Sequence, residues 1–266
     1  MSRDITVGQY LPGRSIMHRL DPRLKIVITF LFMILVFLSR SRSSLAALVL
    51  LFIGLIICAG LSPLRVLHAV RPMLPVILFS AFINIFYVSG PVLFHFYFIH
   101  ISTAGLQVGI SLAIRLTILI AGSSLITYTT SLNAITAGME QLLSPLKKIH
   151  LPVGELAMVM MITLRFLPTL AEEIDRIIEA QKARGADIGT GGIVKRLRSY
   201  FPIILPLFMS AFRRAFELTN AIECRCYHGD EGRTKLFRLQ LRPLDSLFLF
   251  LFLTAFLLIL LFNFWA

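Results

Sequence analysis

Apolar residues occur along this chain in long uninterrupted blocks rather than in alternation with polar residues. Inside a lipid bilayer every backbone N–H and C=O group must be hydrogen-bonded within the protein. Blocks of this kind therefore predict membrane-spanning helices rather than barrel strands. We expect an all-α polytopic membrane protein with about five transmembrane helices. The predicted spans are residues 24–38, 45–61, 74–88, 105–128 and 247–265.

The segment between the fourth and fifth spans is too long to be a simple connection. Loops without secondary structure rarely exceed about 12 to 15 residues, so this segment is predicted to be a structured module. The expected organisation is an N-terminal membrane part with four spans (1–128), a cytoplasmic or interfacial module with three helices (129–246) and a C-terminal transmembrane helix (247–266).

The first long helix of this module is predicted from apolar residues that recur at steps of three or four between positions 156 and 178. Its start is hydrophobic enough to resemble a membrane span. Glu155, Arg165 and Pro168 argue against that interpretation, because charges are costly in lipid. We therefore expect an amphipathic helix that does not cross the bilayer.

A second amphipathic helix is predicted to begin near Ile193 and to be bent by Pro202 and Pro206. Arg213 and Glu217 are spaced for an ion pair on its polar side. The glycine-rich segment 187–192 favours a sharp reversal before this helix. A shorter amphipathic helix, 134–147, is expected to precede both.

The distribution of basic residues predicts the orientation in the membrane, because Lys and Arg accumulate on the cytoplasmic side. The segment 129–246 carries sixteen of them and the loop 89–104 carries none. We expect a cytoplasmic N-terminus and an external C-terminus. Arg40 and Arg42 do not fit this orientation, since they fall in a loop that it places outside.

The accumulation of Lys and Arg in cytoplasmic segments also explains the net charge of +12, so no nucleic-acid partner is expected.

Both long helices are predicted to end in an arginine between small residues. One end reads Ala183-Arg184-Gly185 and the other Cys224-Arg225-Cys226. Taken singly, each arginine could simply complement a helix C-terminal dipole, with Gly185 as the cap. Taken together, the two ends indicate equivalent docking contacts, in which a guanidinium binds carboxylates or carbonyls of a partner. If the helices are antiparallel, the arginines point to opposite ends of the module, which suits a dimeric partner.

With these residues in view, the chain resembles the transmembrane T component of energy-coupling factor transporters, importers of vitamins and metals driven by ATP-binding cassette subunits. The resemblance covers essentially the whole chain. It rests on three motifs: His18-Arg19-Leu20-Asp21-Pro22-Arg23-Leu24-Lys25, Leu164-Arg165-Phe166-Leu167-Pro168 and Ala183-Arg184-Gly185. The family's second signature is usually Ala-Arg-Gly as well, and this chain departs from it at Cys224 and Cys226.

The resemblance implies an L-shaped protein in the cell membrane of a prokaryote. Its helix ends would seat Arg184 and Arg225 in two ABC-type ATPase subunits, which would bind ATP and magnesium. The broad apolar faces of the amphipathic helices would then be a platform for a small substrate-binding membrane subunit. An intramolecular core is the competing explanation for the methionines. The residues assigned to the platform are Met158, Met160, Met161, Phe166, Phe208, Phe212 and Phe216.

Several other functions are disfavoured by the sequence. It contains no phosphate-binding G-x-x-x-x-G-K-[ST], no H-E-x-x-H and no G-x-S-x-G, so we expect no enzyme activity and no cofactor in this chain. A metal site at Cys224, Cys226 and His228 lacks an evident fourth ligand. The alternative function is a secondary transporter or another membrane permease. A secondary transporter should carry ionisable residues at mid-bilayer depth, and the spans offer none there apart from Arg115.

Overall fold

A computed structural model describes residues 10–87, 92–96, 99–186, 189, 192–227, 229 and 239–265. The chain divides into two compact units by its contacts: one comprises residues 8–141 and 238–266, and the other residues 1–7 and 142–237. The elements of the first unit are α1 (Ile16–Arg19), α2 (Pro22–Leu38), α3 (Arg42–Ala59), α4 (Pro63–Val70), α5 (Leu74–Tyr87), β1 (Val92–Phe96), β2 (Ile99–Ser102), α6 (Thr103–Thr129), α7 (Leu132–Leu142, whose last residue falls in the second unit) and α11 (Pro243–Trp265). The second unit contains α8 (Val153–Ala183), α9 (Ile193–Ser199) and α10 (Phe201–Glu223), with a 3₁₀ segment at Ser144–Ile149 before α8.

All five predicted spans coincide with helices, which confirms an all-α polytopic membrane protein. Among the described residues, five helices are long and apolar enough to cross a membrane: Arg42–Ala59, Pro63–Tyr87, Thr103–Thr129, Val153–Ala183 and Pro243–Asn263. The first predicted span, α2, has 17 residues and is shorter than any of these. α8 meets the same length and composition criteria, so its predicted position outside the bilayer stays a prediction.

The core of the first unit lies between α2, α3, α6 and α11. Phe32 and Leu35 of α2 and Leu48 of α3 are almost completely buried there. Gly122 lets α6 approach α2, because a Cβ atom at this position would lie 2.3 Å from a ring carbon of Phe32. The absence of a side chain at Gly122 thus permits this close approach of α6 to α2.

The G-x-x-x-G sequence at the start of α6 serves a similar purpose. Cβ atoms at Gly105 and Gly109 would lie 2.7 Å from the Ile85 carbonyl oxygen and 3.0 Å from that of Ala81. Backbone is therefore packed against backbone along α5 and α6, as small residues permit in membrane helices. The two glycines of the G-x-x-x-G motif therefore form the packing contact between α6 and α5.

The loop between α5 and α6 departs from a purely helical description. β1 and β2 form an antiparallel hairpin in which His95 pairs with His100 and Phe96 with Ile99. Ser102 then caps α6, accepting a hydrogen bond from the Gly105 N–H at 2.8 Å. From the sequence this segment is predicted only as a loop, 89–104, without basic residues.

A buried polar cluster joins the N-terminus of α2 to the start of α11. The Asp21 N–H donates to Asp245 Oδ1 at 3.0 Å, and the Arg242 N–H donates to Asp245 Oδ2 at 2.7 Å. Lys25 Nζ donates to the Thr129 carbonyl oxygen at 3.2 Å and also reaches the side chain of the next threonine. The charged residues of the motif 18–25 therefore tie together α2, α6 and α11 within the first unit.

α7 is the shorter amphipathic helix expected at 134–147, and it ends earlier, at Leu142. A Cβ atom at Gly138 would lie 3.1 Å from Pro22 Cβ, so α7 packs closely on the start of α2. By its contacts nearly all of α7 belongs with the first unit. That residues 129–246 form one module with three helices therefore stays a prediction.

Candidate docking site on the amphipathic helices

α8 and α10 form an antiparallel hairpin. Near the middle, the Glu173 carboxylate accepts hydrogen bonds from the Ser210 hydroxyl and from the guanidinium of Arg214. Near one end, a Cβ atom at Gly229, just after α10, would lie 4.0 Å from Oε1 of Glu155 at the start of α8. Residues late in one helix thus lie beside residues early in the other, as the glycine-rich reversal predicted.

The reversal itself is only partly described, since residues 187, 188, 190 and 191 lie outside the described part of the chain. Gly189 has φ of +81°, a conformation that favours glycine. Its N–H donates to the Ser199 hydroxyl at 3.1 Å, which ties the reversal to α9.

Two details of the predicted second helix are wrong. It is not one bent helix: α9 ends at Ser199 and α10 begins at Phe201, because Pro202 has no N–H to continue the helical hydrogen bonds and suits the first turn of a new helix. The ion pair expected between Arg213 and Glu217 is not formed between these two described residues. The neighbouring Arg214 forms the pair instead, with Glu173 of the other helix.

α8 ends in a Schellman motif centred on Arg184. The Gly185 N–H donates to the Lys182 carbonyl at 3.0 Å, and the Ala186 N–H donates to the Gln181 carbonyl at 3.0 Å. Gly185 has φ of +84°, the left-handed conformation that this cap requires. The cap satisfies the last carbonyl groups of the helix with backbone alone and leaves the Arg184 side chain uncommitted.

α10 ends in the same motif, centred on Arg225. The Cys226 N–H donates to the Glu223 carbonyl at 2.9 Å, and the Tyr227 N–H donates to the Ile222 carbonyl at 3.3 Å. Cys226 has φ of +54°, so it adopts the left-handed conformation although it has a Cβ atom. The departure from Ala-Arg-Gly therefore leaves the backbone geometry intact, at a cost of about 1–2 kcal/mol for a non-glycine residue.

The two arginines are equivalent in position as well as in backbone. Both are exposed, and within the described part of the chain neither guanidinium has a hydrogen bond or ion pair. Arg184 lies eleven residues beyond Glu173, and Arg225 lies eleven residues beyond Arg214 in the opposite direction. At about 1.5 Å per residue, each arginine stands roughly 16 Å along its helix from the central pair. Ala183 and Cys224 beside them are also exposed.

The aromatic residues assigned to the platform form a stripe on the outer side of α10. Phe208, Phe212 and Phe216 are exposed by 60%, 48% and 67%, and the rings of the first two pack edge to face with centroids 5.0 Å apart. The stripe is offset by two residues, or about 200°, from Ser210 and Arg214, which face α8. These rings are therefore not the core of the hairpin.

The assigned residues of α8 divide into two groups. Met160 is 48% exposed, whereas Met158, Met161 and Phe166 are half-buried. Phe166 lies seven residues before Glu173 and so on the side of α8 that faces α10. Leu205 and Met209, which were not assigned from the sequence, are also exposed on α10, by 64% and 62%. Their i, i+4 spacing beside the phenylalanine stripe was the available signal.

Of two further residues singled out in the sequence, His228 and Arg115, the structure describes only Arg115. His228 of the disfavoured metal site lies outside the described residues. Arg115, the ionisable residue within α6, donates a hydrogen bond to the Ser39 carbonyl at the end of α2. Arg115 therefore stabilises the connection between α2 and α3. In the same connection, the Arg40 N–H donates to Oδ1 of Asn263 in α11 at 2.8 Å.

The fold and the hairpin define the chain as a polytopic α-helical membrane protein with an amphipathic, arginine-ended helical hairpin. A family model described as CbiQ, cobalt transport protein, matches residues 13–236. The chain is similar to proteins named energy-coupling factor transporter transmembrane protein EcfT. It is 46% identical to the one from Ruminiclostridium cellulolyticum over 93% of this chain and 92% of that protein. It is 43% identical to that of Bacillus subtilis, over 90% and 91%.

The relative from Lactococcus lactis is 39% identical over 92% of both chains. The chain therefore belongs to the CbiQ family of transport proteins, and it is a transmembrane component of an energy-coupling factor transporter. The resemblance drawn from the three sequence motifs is confirmed at the level of the family.

Proposed function

We propose that this chain is the energy-coupling scaffold of an ATP-driven vitamin or micronutrient importer in the cell membrane of a prokaryote. Arg184 and Arg225 bind one ABC-type ATPase subunit each, and the outer face of the hairpin binds a small substrate-binding membrane subunit. ATP and magnesium are bound by the ATPases, so this chain is non-catalytic and needs no cofactor. The hairpin lies on the cytoplasmic side, where ATP is available.

The observation that carries the proposal is the equivalence of the two helix ends. Two like Schellman caps present two uncommitted guanidinium groups at opposite ends of one antiparallel hairpin. Two ATPase subunits that work as a dimer have two equivalent binding sites that lie apart from each other. Two equivalent arginines, one for each site, fit such a partner. If each arginine served only to complement the dipole of its own helix, the two helix ends would not need the same cap and the same exposed guanidinium.

The guanidinium is suited to this contact because its planar donor groups can bind several acceptors at once. A charged contact partly shielded from water contributes roughly 1.5 to 3 kcal/mol, so the loss of one arginine should weaken one ATPase contact about ten- to a hundredfold. The second contact would still hold the complex. Loss of both should release the ATPases.

The test is purification of the tagged chain from its native membrane, with the ATPase subunits quantified in each preparation and substrate uptake measured in cells. Arg184→Ala and Arg225→Ala should each reduce uptake strongly, and the double variant should lose the ATPases. Arg213→Ala is the matched control, because Arg213 is an exposed arginine in the middle of α10. Normal uptake and full ATPase recovery in the double variant would refute the coupling role.

The platform is tested separately. Replacing Phe208, Phe212 and Phe216 with Ala should release the small membrane subunit while the ATPases remain bound, because the arginines are untouched. Phe79→Ala is the control, since Phe79 of α5 is 67% exposed but belongs to the other unit. Retention of the small subunit by the triple variant would place its binding surface elsewhere.

A further inference from the structure

A groove and a pocket in the first unit share two residues and have complementary chemistry. The groove, about 350 Å³, lies between α3 and α11 and is almost entirely apolar; Gly54, Cys58 and Phe248 are among its lining residues. The pocket, about 150 Å³, is lined by Arg14, Arg19 and Arg242. Ile16 and Leu244 line both, so the pocket adjoins one end of the groove.

The pocket carries an excess of positive charge that the described residues do not neutralise. All three arginines are exposed, and none has a side-chain hydrogen bond or ion pair to another described residue. Asp245 also lines the pocket, but it is 2% exposed and both of its oxygen atoms accept backbone N–H groups. Three guanidinium groups around a small cavity suit a phosphate group, because each can bind two oxygens at once.

The groove has the length and lining of an acyl-chain site. From residue 244 to residue 252 of α11 it extends over about 12 Å, most of the roughly 15 Å that half of a bilayer's hydrocarbon core occupies. Gly54 leaves open space in its wall, since a Cβ atom there would meet no atom within 4 Å. An apolar groove that ends in a basic pocket matches one class of molecule, a lipid with an anionic head group.

We infer that this site binds an anionic phospholipid of the cytoplasmic leaflet, with an acyl chain between α3 and α11 and the phosphate among Arg14, Arg19 and Arg242. The basic end is the one that the charge distribution places on the cytoplasmic side, where anionic lipids attract such groups. The inference does not depend on the proposed function, because it uses neither the helical hairpin nor the partner subunits. The bound lipid links α1, α3 and α11.

The test uses fluorescence quenching by brominated lipids in the purified full chain. Trp265 is the single tryptophan, so Trp265→Phe with Phe248→Trp gives one reporter within the groove. Brominated phosphatidylglycerol should quench it at a concentration about 100-fold lower than brominated phosphatidylcholine, since each of the three arginines contributes roughly fivefold near a membrane surface. In this background, Arg19→Gln with Arg242→Gln should remove most of that preference. Arg65→Gln with Arg71→Gln, two exposed arginines outside the pocket, should retain it.

A second variant tests the groove alone. Gly54→Leu should exclude the acyl chain and abolish quenching by both lipids, whereas Ala46→Leu, an exposed position of α3 outside the groove, should not. Folding of each variant is checked by size exclusion and helical circular dichroism, and Gly54→Leu decides the matter if the arginine variant does not fold. Equal quenching by both lipids would overturn the inference, as would quenching that persists in Gly54→Leu. Absence of quenching together with dimer formation would mean that a second copy covers the groove.

Discussion

Gly185 and Cys226 adopt the same left-handed backbone conformation, with φ of +84° and +54°, each one residue after the arginine that ends its helix. The two positions are chemically unlike but conformationally equivalent. A glycine reaches this conformation without cost, whereas a cysteine must bring its Cβ atom close to the backbone. The triplets Ala183-Arg184-Gly185 and Cys224-Arg225-Cys226 differ at their last residue, so their sequences do not show that the two helix ends are equivalent. The φ angles of Gly185 and Cys226 show it.

The first prediction concerns this cap. Cys226→Gly should stabilise the hairpin by about 1 kcal/mol, because it removes the left-handed strain of a non-glycine residue. Gly185→Ala should destabilise it by a similar amount, and the cause would be conformational because a Cβ atom there meets nothing within 4 Å. Thermal unfolding of the purified variants measures both effects. Stabilities that move in the other direction would show that the cysteine side chain contributes a compensating contact.

The second prediction concerns Lys25, which is 3% exposed. Lys25→Met should destabilise the first unit by roughly 1–3 kcal/mol, because it removes the donor to the Thr129 carbonyl and the Thr130 hydroxyl and leaves these buried acceptors unsatisfied. Lys182→Met, at an exposed position, should change stability little. The comparison is made by thermal unfolding in the same detergent. Equal effects of the two substitutions would argue against a stabilising role for the cluster.

The third prediction concerns the close approach of α5 and α6. Gly105→Ala should separate these helices and destabilise the protein by about 1–3 kcal/mol, because the new Cβ atom would lie 2.7 Å from a backbone oxygen that cannot move alone. Gly54→Ala is the control, since its Cβ atom would meet only open space. Melting temperatures and the yield of monodisperse protein distinguish the two variants. If Gly105→Ala were as stable as Gly54→Ala, backbone packing between α5 and α6 would not be required.

The fourth prediction concerns orientation, and it starts from a chain without its native cysteines. A single cysteine in place of Tyr87, which is 86% exposed near the segment 89–104, should react with an impermeant thiol reagent added to intact cells. A cysteine in place of Arg196 should react only after the cells are opened, because the basic segments are expected inside. The reverse pattern would place the hairpin outside the cell and remove the basis for an ATPase contact.

The sequence alone determined the helices, because their signals are local. An apolar block such as 105–128 must satisfy its own backbone in lipid, and the three- and four-residue spacing between 156 and 178 specifies one apolar face whatever that face packs against. Both produced helices at the expected places, α6 and α8. The motifs at 18–25, 164–168 and 183–185 also indicated the family, which the comparisons confirm.

The tertiary structure decided whatever depends on two distant segments meeting. Arg214 rather than Arg213 forms the ion pair because Glu173 of another helix lies on that side of α10, and no spacing within α10 contains this information. The left-handed conformation of Cys226 comes from the cap that closes α10 and not from a preference of cysteine. The proposed lipid groove and its basic pocket combine α1 and α3 with α11, which begins 184 residues after α3 ends, so the apolar wall and the arginines become one site only when the chain is folded.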